Sequence, residues 1–231
     1  VPTYIEMENL IINSSSWIED SNGQKGYWFS GTSEYTSTSS SLFLPASGFI
    51  NSNPMWRGRA GNYWTSKSDY VSRNYAYRLG ITPTSIDYNG SDFCMGYSIR
   101  CVQDLDSTLP PVEETEEDTY IDEYGINHGP GVKIYGVVWA PVNCGYHAID
   151  FKYGKLYQWG RKYGHGYDSE DASVPAIVSG PIYYLSGADA NGFYISSSDD
   201  RDWLYYQEDE LWNSGTESSP VKTKYDPCPS R

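Results

Sequence analysis

Apolar residues in this chain fall in short runs, and the runs change period several times. Thr3 and Glu6 have capping-box spacing: the hydroxyl takes the amide three residues on, and the carboxylate returns to the cap amide. A helix is expected from there, with Ile5, Met7, Leu10 and Ile11 as its buried stripe and Asn13-Ser14-Ser15-Ser16 as its end. Gly26-Tyr27-Trp28-Phe29-Ser30-Gly31 reads as a strand between glycines, and Leu42-Phe43-Leu44-Pro45 as a short buried strand. Residues 62–66, 75–81 and 95–103 read as three more. Alternate side chains of a strand share a face, so Tyr75, Tyr77 and Leu79 are expected together. Val132-Lys133-Ile134 and Gly136-Val137-Val138-Trp139-Ala140 pattern as a hairpin, and residues 146–153 as another strand. The compact aromatic stretch 153–161 is expected to form a short helix, 163–200 to be dominated by loops, and 209–215 to hold a helical turn.

One segment breaks the pattern. Residues 104–118 contain Pro110-Pro111 and the run Glu113-Glu114-Thr115-Glu116-Glu117-Asp118, with few core formers, and read as a solvated linker. At 231 residues the chain suits one large or two small domains. It holds 23 Tyr and 8 Trp but 6 Phe, so most aromatic rings carry a polar handle and suit half-buried or interface positions. Sixteen basic against 30 acidic residues give a net charge of −14. That disfavours nucleic acid and anionic membranes, which need a basic footprint. No run is long and apolar enough to span a bilayer, and no signal-peptide pattern opens the sequence.

The residues that carry chemistry are few and scattered. His128, His147 and His165 have no zinc-site spacing. No phosphate loop, nucleophile elbow or H-E-x-x-H motif occurs. Asp189-Ala190-Asn191-Gly192 and Asp199-Asp200-Arg201-Asp202 offer oxygen ligands, but neither has the spacing or closing Glu of an EF-hand. No catalytic residue, metal or cofactor is therefore assigned. Four cysteines, Cys94, Cys101, Cys144 and Cys228, allow three full pairings.

Residues 57–103 stand out instead. Arg57-Gly58-Arg59-Ala60-Gly61-Asn62-Tyr63-Trp64 opens the stretch and Gly96-Tyr97-Ser98-Ile99-Arg100-Cys101-Val102 closes it. The middle is rich in Tyr, Ser, Asn, Asp, Arg and Gly, residue types that make adaptable binding surfaces. Tyr63, Trp64 and Tyr97 belong to the scaffold. Trp56, Tyr70, Arg73, Tyr75, Arg78, Asp87, Tyr88, Asn89, Asp92 and Phe93 are the candidates for an exposed ligand-binding face, flanking turns such as Asn89-Gly90.

The sequence also resembles a known family. Read from end to start, Asp226-Pro227-Cys228-Pro229-Ser230-Arg231 followed by Val1-Pro2-Thr3 resembles the middle of the Fibrobacter succinogenes major paralogous domain, found in exported Bacteroidetes proteins. Val138-Trp139-Ala140-Pro141-Val142-Asn143-Cys144-Gly145-Tyr146 and Tyr153-Gly154-Lys155-Leu156-Tyr157-Gln158-Trp159-Gly160 resemble the family's opening. Leu211-Trp212-Asn213-Ser214-Gly215 precedes its Cys-Pro turn. Gly26-Tyr27-Trp28-Phe29, Leu42-Phe43-Leu44-Pro45-Ala46-Ser47-Gly48-Phe49, Tyr63-Trp64-Thr65-Ser66 and residues 96–102 resemble its second half. The order is not the family's. Residues 1–103 match the second half and 119–231 the first, as in a circular permutant, a window across tandem units, or a cleaved protein with its fragments reversed. The aromatic that precedes Arg-Val-Pro-Thr in the family is missing at the joint.

The resemblance implies a loop-rich α+β fold of the C-type-lectin-like type, with short strands and few helices, as in formylglycine-generating enzymes and the variable proteins of diversity-generating retroelements. It places 56–95 where those variable proteins are diversified. It implies a disulfide between Cys101 and Cys228, with two reduced core cysteines as the alternative, and leaves Cys94 and Cys144 as free thiols. The calcium-sugar motifs of true C-type lectins are absent. The function expected is a non-enzymatic module of an exported, cell-surface or extracellular protein that binds an unknown protein or glycan. A structural subunit of a surface fibre, with oligomers, and an enzyme of the sulfatase-modifying type are the alternatives.

Overall fold

The computed structural model describes every residue except 13–14, 33–38, 70–74, 104–118, 122–124, 167–175, 189, 197–200 and 229–231. The expected linker lies outside the described residues. Helix α1 (Tyr4–Ile11) leads into an antiparallel meander of β1 (Ser15–Glu19), β2 (Lys25–Thr32) and β3 (Ser39–Pro45). The hairpin β4 (Phe49–Asn51) and β5 (Asn53–Met55) follows, then a second meander of β6 (Gly61–Ser68), β7 (Tyr75–Thr82) and β8 (Ser85–Asp92). Short strands β9 (Gly96–Tyr97) and β10 (Val102–Gln103) come next. After residue 118 lie β11 (Thr119–Ile121), β12 (Asn127–Pro130), β13 (Val132–Ile134), β14 (Val137–Trp139), β15 (Tyr157–Gln158), and a parallel pair, β16 (Ala176–Gly180) with β17 (Gly192–Ser196). The architecture is strand-rich and loop-rich, built of short, mainly antiparallel strands in open sheets, with one α-helix and one short 3-10 turn (Leu185–Gly187) among the described residues.

The cap of α1 closes in both directions: Glu6 N donates to Thr3 Oγ1 at 3.2 Å, and Thr3 N to Glu6 Oε2 at 2.6 Å. Met7 and Leu10 are buried and Ile11 packs partly beside them. Ile5, expected in that stripe, is 45% exposed. It lies two positions before Met7, about 200° around the helix, so both cannot face the same sheet.

The second meander is covered on both sides. Tyr63, Leu79 and Ile81 face α1 and join Met7, Leu10, Phe29, Leu42 and Leu44 in one core. Trp64 and Ala76 face the other way, into a core completed by Tyr157, Trp159, Trp203, Leu211 and Trp212 from the later part of the chain. Buried indoles need acceptors, and four of them find backbone carbonyls. Trp64 Nε1 donates to Tyr157 O at 2.8 Å, Trp159 to Thr65 O at 3.0 Å, Trp203 to Trp159 O at 2.7 Å and Trp212 to Arg161 O at 3.2 Å.

Residues 96–103 are the seam between the two parts. β9 pairs with β4 on one side and β15 on the other, and β10 pairs with β14. Between them Arg100 is buried, and among the described residues its guanidinium is held by oxygens of amides and not by a carboxylate. Nε donates to Asn143 Oδ1 at 2.9 Å, Nη1 to Ala140 O at 2.9 Å and Nη2 to Phe43 O at 2.8 Å. Burial pushes this guanidinium down to about 10, against the pull of the Tyr63 and Tyr120 hydroxyls. Asn143 Nδ2 in turn reaches Ser47 Oγ, Tyr63 OH and Tyr153 O. Cys101 is joined to Cys228 by a disulfide, while Cys94 and Cys144 are free thiols. Val1 N donates to Asp226 Oδ2 at 2.9 Å and lies 3.3 Å from Cys228 Sγ, so Val1 sits beside that bond.

Several expected elements differ. Residues 146–153 form turns with one bridge, His147 to Phe151, and not a strand, because Gly145 and Gly154 bend the chain at φ +70° and +77°. The helix expected over 153–161 is the two-residue β15, since Gly154 and Gly160 both hold positive φ, which a right-handed helix excludes. Residues 163–200 contain the parallel pair β16–β17, and 209–215 hold turns and bends without a helix.

Candidate functional site

The tight turn of the β7–β8 hairpin is Pro83-Thr84, with Thr82 paired to Ser85. Asn89-Gly90, expected as a turn, lies inside β8, opposite Arg78 and Tyr77. This register sorts the candidate residues onto two faces, because directly paired side chains share a face.

Arg78, Asp87 and Asn89 fall on one face. Arg78 Nη1 meets Asp87 Oδ1 at 2.7 Å, and Asn89 Nδ2 donates to the same oxygen at 3.0 Å. Gly80 lies between them in the pleat; a Cβ there would come within 1.9 Å of Arg78 Nη1 and 2.8 Å of Asp87 Oδ1. Ser91, one pair further along, shares a 2.6 Å hydrogen bond with the Tyr97 hydroxyl. Burial pushes that hydroxyl up in pKa, opposed by the Ser91 bond and the charge of Arg78.

Trp56 joins this group through aromatic contacts. Its ring stands edge-on to Phe49 at 5.5 Å, and Phe49 is edge-on to Tyr97 at 6.1 Å. Trp56 is 56% exposed, and its backbone is left-handed at φ +66°. Amides of Arg59 and Ala60 both donate to the Trp56 carbonyl and hold that turn. A large residue in this region costs on the order of 1–3 kcal/mol, and such outliers cluster at binding sites.

Tyr75, Tyr88 and Asp92 fall on the opposite face. Arg201, from the later part of the chain, donates to the Tyr75 hydroxyl at 2.7 Å and lies 3.6 Å from Asp92. Partial burial raises the Asp92 carboxyl, and Arg201 opposes the rise. Tyr88 packs against Tyr4 at 5.2 Å, with its hydroxyl buried and unpartnered among the described residues. Phe93 is not exposed at all. It is 2% accessible and stacks on Trp159, because the chain turns inward after β8. Tyr70 and Arg73 lie outside the described residues. The candidates thus supply one group, Arg78, Asp87 and Asn89, with Trp56 linked towards it through Phe49 and Tyr97, and a separate edge where Tyr75 and Asp92 meet Arg201.

Phe49, Gly80, Ser91 and Arg201 are the residues that sequence reasoning missed. Each depends on strand register or on contact between distant segments, so no local pattern marks it. A cavity of about 600 Å³ lies elsewhere, lined by Asp20, Arg100, Asn143 and Tyr153 among others. Arg100 and Asn143 are occupied there in holding the seam together. Among the described residues no three His, Cys, Asp or Glu side chains converge as a metal site, and no helix is long and apolar enough to cross a membrane. Compared with known protein families, with curated proteins and with solved structures, the chain matches none.

Proposed function

We propose that this chain is a non-enzymatic ligand-binding module of an exported or cell-surface protein, with a C-type-lectin-like fold in permuted order. Its binding face is built from Trp56, Phe49 and the Arg78–Asp87–Asn89 group. The observation that carries the reading is Trp56, an exposed indole on strained backbone, braced by Phe49 and linked through Tyr97 to an ion pair. An aromatic anchor beside a charged, hydrogen-bonding rim suits a protein epitope or a glycan. Permuted order is supported by the contact between Val1 and Asp226, which brings the expected joint together in space.

The test is a protein and glycan array probed with wild type and with a Trp56→Ala/Arg78→Gln double variant. A ligand held by wild type and lost by the variant, at unchanged melting temperature, supports the reading. A ligand held equally by both overturns it.

A further inference from the structure

A second aromatic surface lies away from the β7–β8 hairpin. Ile182 and Leu204 bridge in parallel: Ile182 N donates to Trp203 O at 3.0 Å and Tyr205 N to Ile182 O at 2.8 Å. The register then sets Tyr183 beside Tyr205 and Tyr184 beside Tyr206, with ring centroids 5.0 and 5.5 Å apart. Tyr205 and Tyr206 stand perpendicular at 5.1 Å. The four rings are 61%, 65%, 53% and 54% exposed, whereas Trp203 and Leu204 beneath them are buried. Solvent-facing aromatic clusters on a buried anchor mark interaction surfaces.

The charge around the rings indicates what they take. Elsewhere this chain covers tyrosine faces with its own cations: Lys67 over Tyr4 and Tyr77, Arg57 over Tyr153, Lys224 over Tyr225. Among the described residues no cation lies over Tyr183, Tyr184, Tyr205 or Tyr206. The chain that leaves them runs Gln207-Glu208-Asp209-Glu210, with Glu208 and Glu210 exposed. Those three carboxylates line a surface cleft of about 570 Å³ together with Lys224 and Tyr225. Open ring faces attract cations through their quadrupoles, and neighbouring carboxylates add to the attraction.

We propose that this tyrosine ribbon, with Glu208 and Glu210, is a docking surface for a lysine- or arginine-rich segment of a partner protein. It is independent of the Trp56 face.

The probe is a fluorescein-labelled nonapeptide of alternating arginine and glycine, followed by anisotropy from 20 to 300 mM salt. Wild type is expected to bind it saturably, more weakly as salt rises. A Tyr183→Ser/Tyr184→Ser/Tyr205→Ser/Tyr206→Ser variant should bind at least tenfold more weakly at unchanged melting temperature. Glu208→Gln/Glu210→Gln should also weaken binding and flatten its salt dependence. Trp56→Ala should bind the peptide like wild type, which separates this surface from the Trp56 face. Equal binding by the ring-less variant overturns the proposal, because net charge alone would then account for it. So does ring-dependent binding of a neutral glucan hexamer with no binding of the peptide, or ring-dependent dimerisation of the protein.

Discussion

Phe93 lies flat on Trp159, with ring centroids 4.6 Å apart and planes 15° apart, so the last residue of the expected binding face is instead a core contact across the seam. Phe93→Ala should cost about 3–5 kcal/mol, the usual range for emptying a buried aromatic site. Urea denaturation measures it; a loss below about 1 kcal/mol would contradict the stacked geometry.

The Cys101–Cys228 bond closes a separation of 127 residues. Long loops gain most from closure, and losing such a bond costs about 2–5 kcal/mol. Reductant, or Cys101→Ser with Cys228→Ser, should lower the melting temperature of wild type, and reductant should leave the double variant unmoved. Thiol titration in denaturant without reductant should find the two free cysteines, Cys94 and Cys144.

His165 is 2% exposed, and its Nε2 has no partner among the described residues. Burial, helped by Arg161 and Lys155, pushes the imidazole down to about 3. The unfolded chain takes up that proton near pH 6.5, and the folded chain refuses it until about pH 3. Stability from the neutral ring is therefore complete above pH 6.5 and falls as pH drops towards 3, by up to about 1.4 kcal/mol per pH unit. His165→Phe should flatten the stability profile in that window.

Asp226 contributes acid sensitivity from the same direction. Burial raises its carboxyl, but the Val1 amino group and Lys222 outweigh that and hold it below the usual range. Its contribution is present above the ordinary aspartate range and is lost as pH falls through the depressed value. Asp226→Asn should cost about 3 kcal/mol near neutrality, because it leaves the Val1 amino group and the Lys222 cation without their carboxylate. Thermal melts at pH 7 and in acid check both the loss and its disappearance on acidification.

The Arg78–Asp87 pair is partly exposed, so it contributes little to stability, about 0–1 kcal/mol. Gly80→Ala should push the Arg78 guanidinium off Asp87 at a cost of about 1 kcal/mol or less, since the nearest atom is the end of a flexible side chain. At Trp56, glycine relieves the left-handed strain, so Trp56→Gly should hold or raise the melting temperature. Both variants are expected to lose the ligand identified by the arrays.

Local signals were readable wherever they specified local structure. Thr3 and Glu6 mark the start of α1, and the apolar alternation marks β2, β3, β6 and β7. Asn89-Gly90 shows where such reading stops. The pair is a strong hairpin signal, yet it lies within β8, because Pro83-Thr84 turns the chain first and Leu79 and Tyr88 then pair in register. The residues of the Trp56 cluster could be named one by one. Their division between two faces could not, because a register set by that turn decides it. Tyr183-Tyr184 and Tyr205-Tyr206 did carry a signal, an aliphatic residue followed by two tyrosines in each case, but it lies in segments whose turn content hides the pairing.

The seam also sets when this protein can fold. Trp64 waits for the carbonyl of Tyr157, Arg100 for those of Phe43 and Ala140, and Cys101 for Cys228. Until those partners are in place, residues 1–103 hold half a core, with the edges that β14 and β15 cover left unpaired. Chain closure over such separations is slow, on the order of milliseconds to seconds for β-rich domains. A truncation that removes Ala140, Tyr157 and Cys228 together would leave the 1–103 segment as an aggregation-prone species.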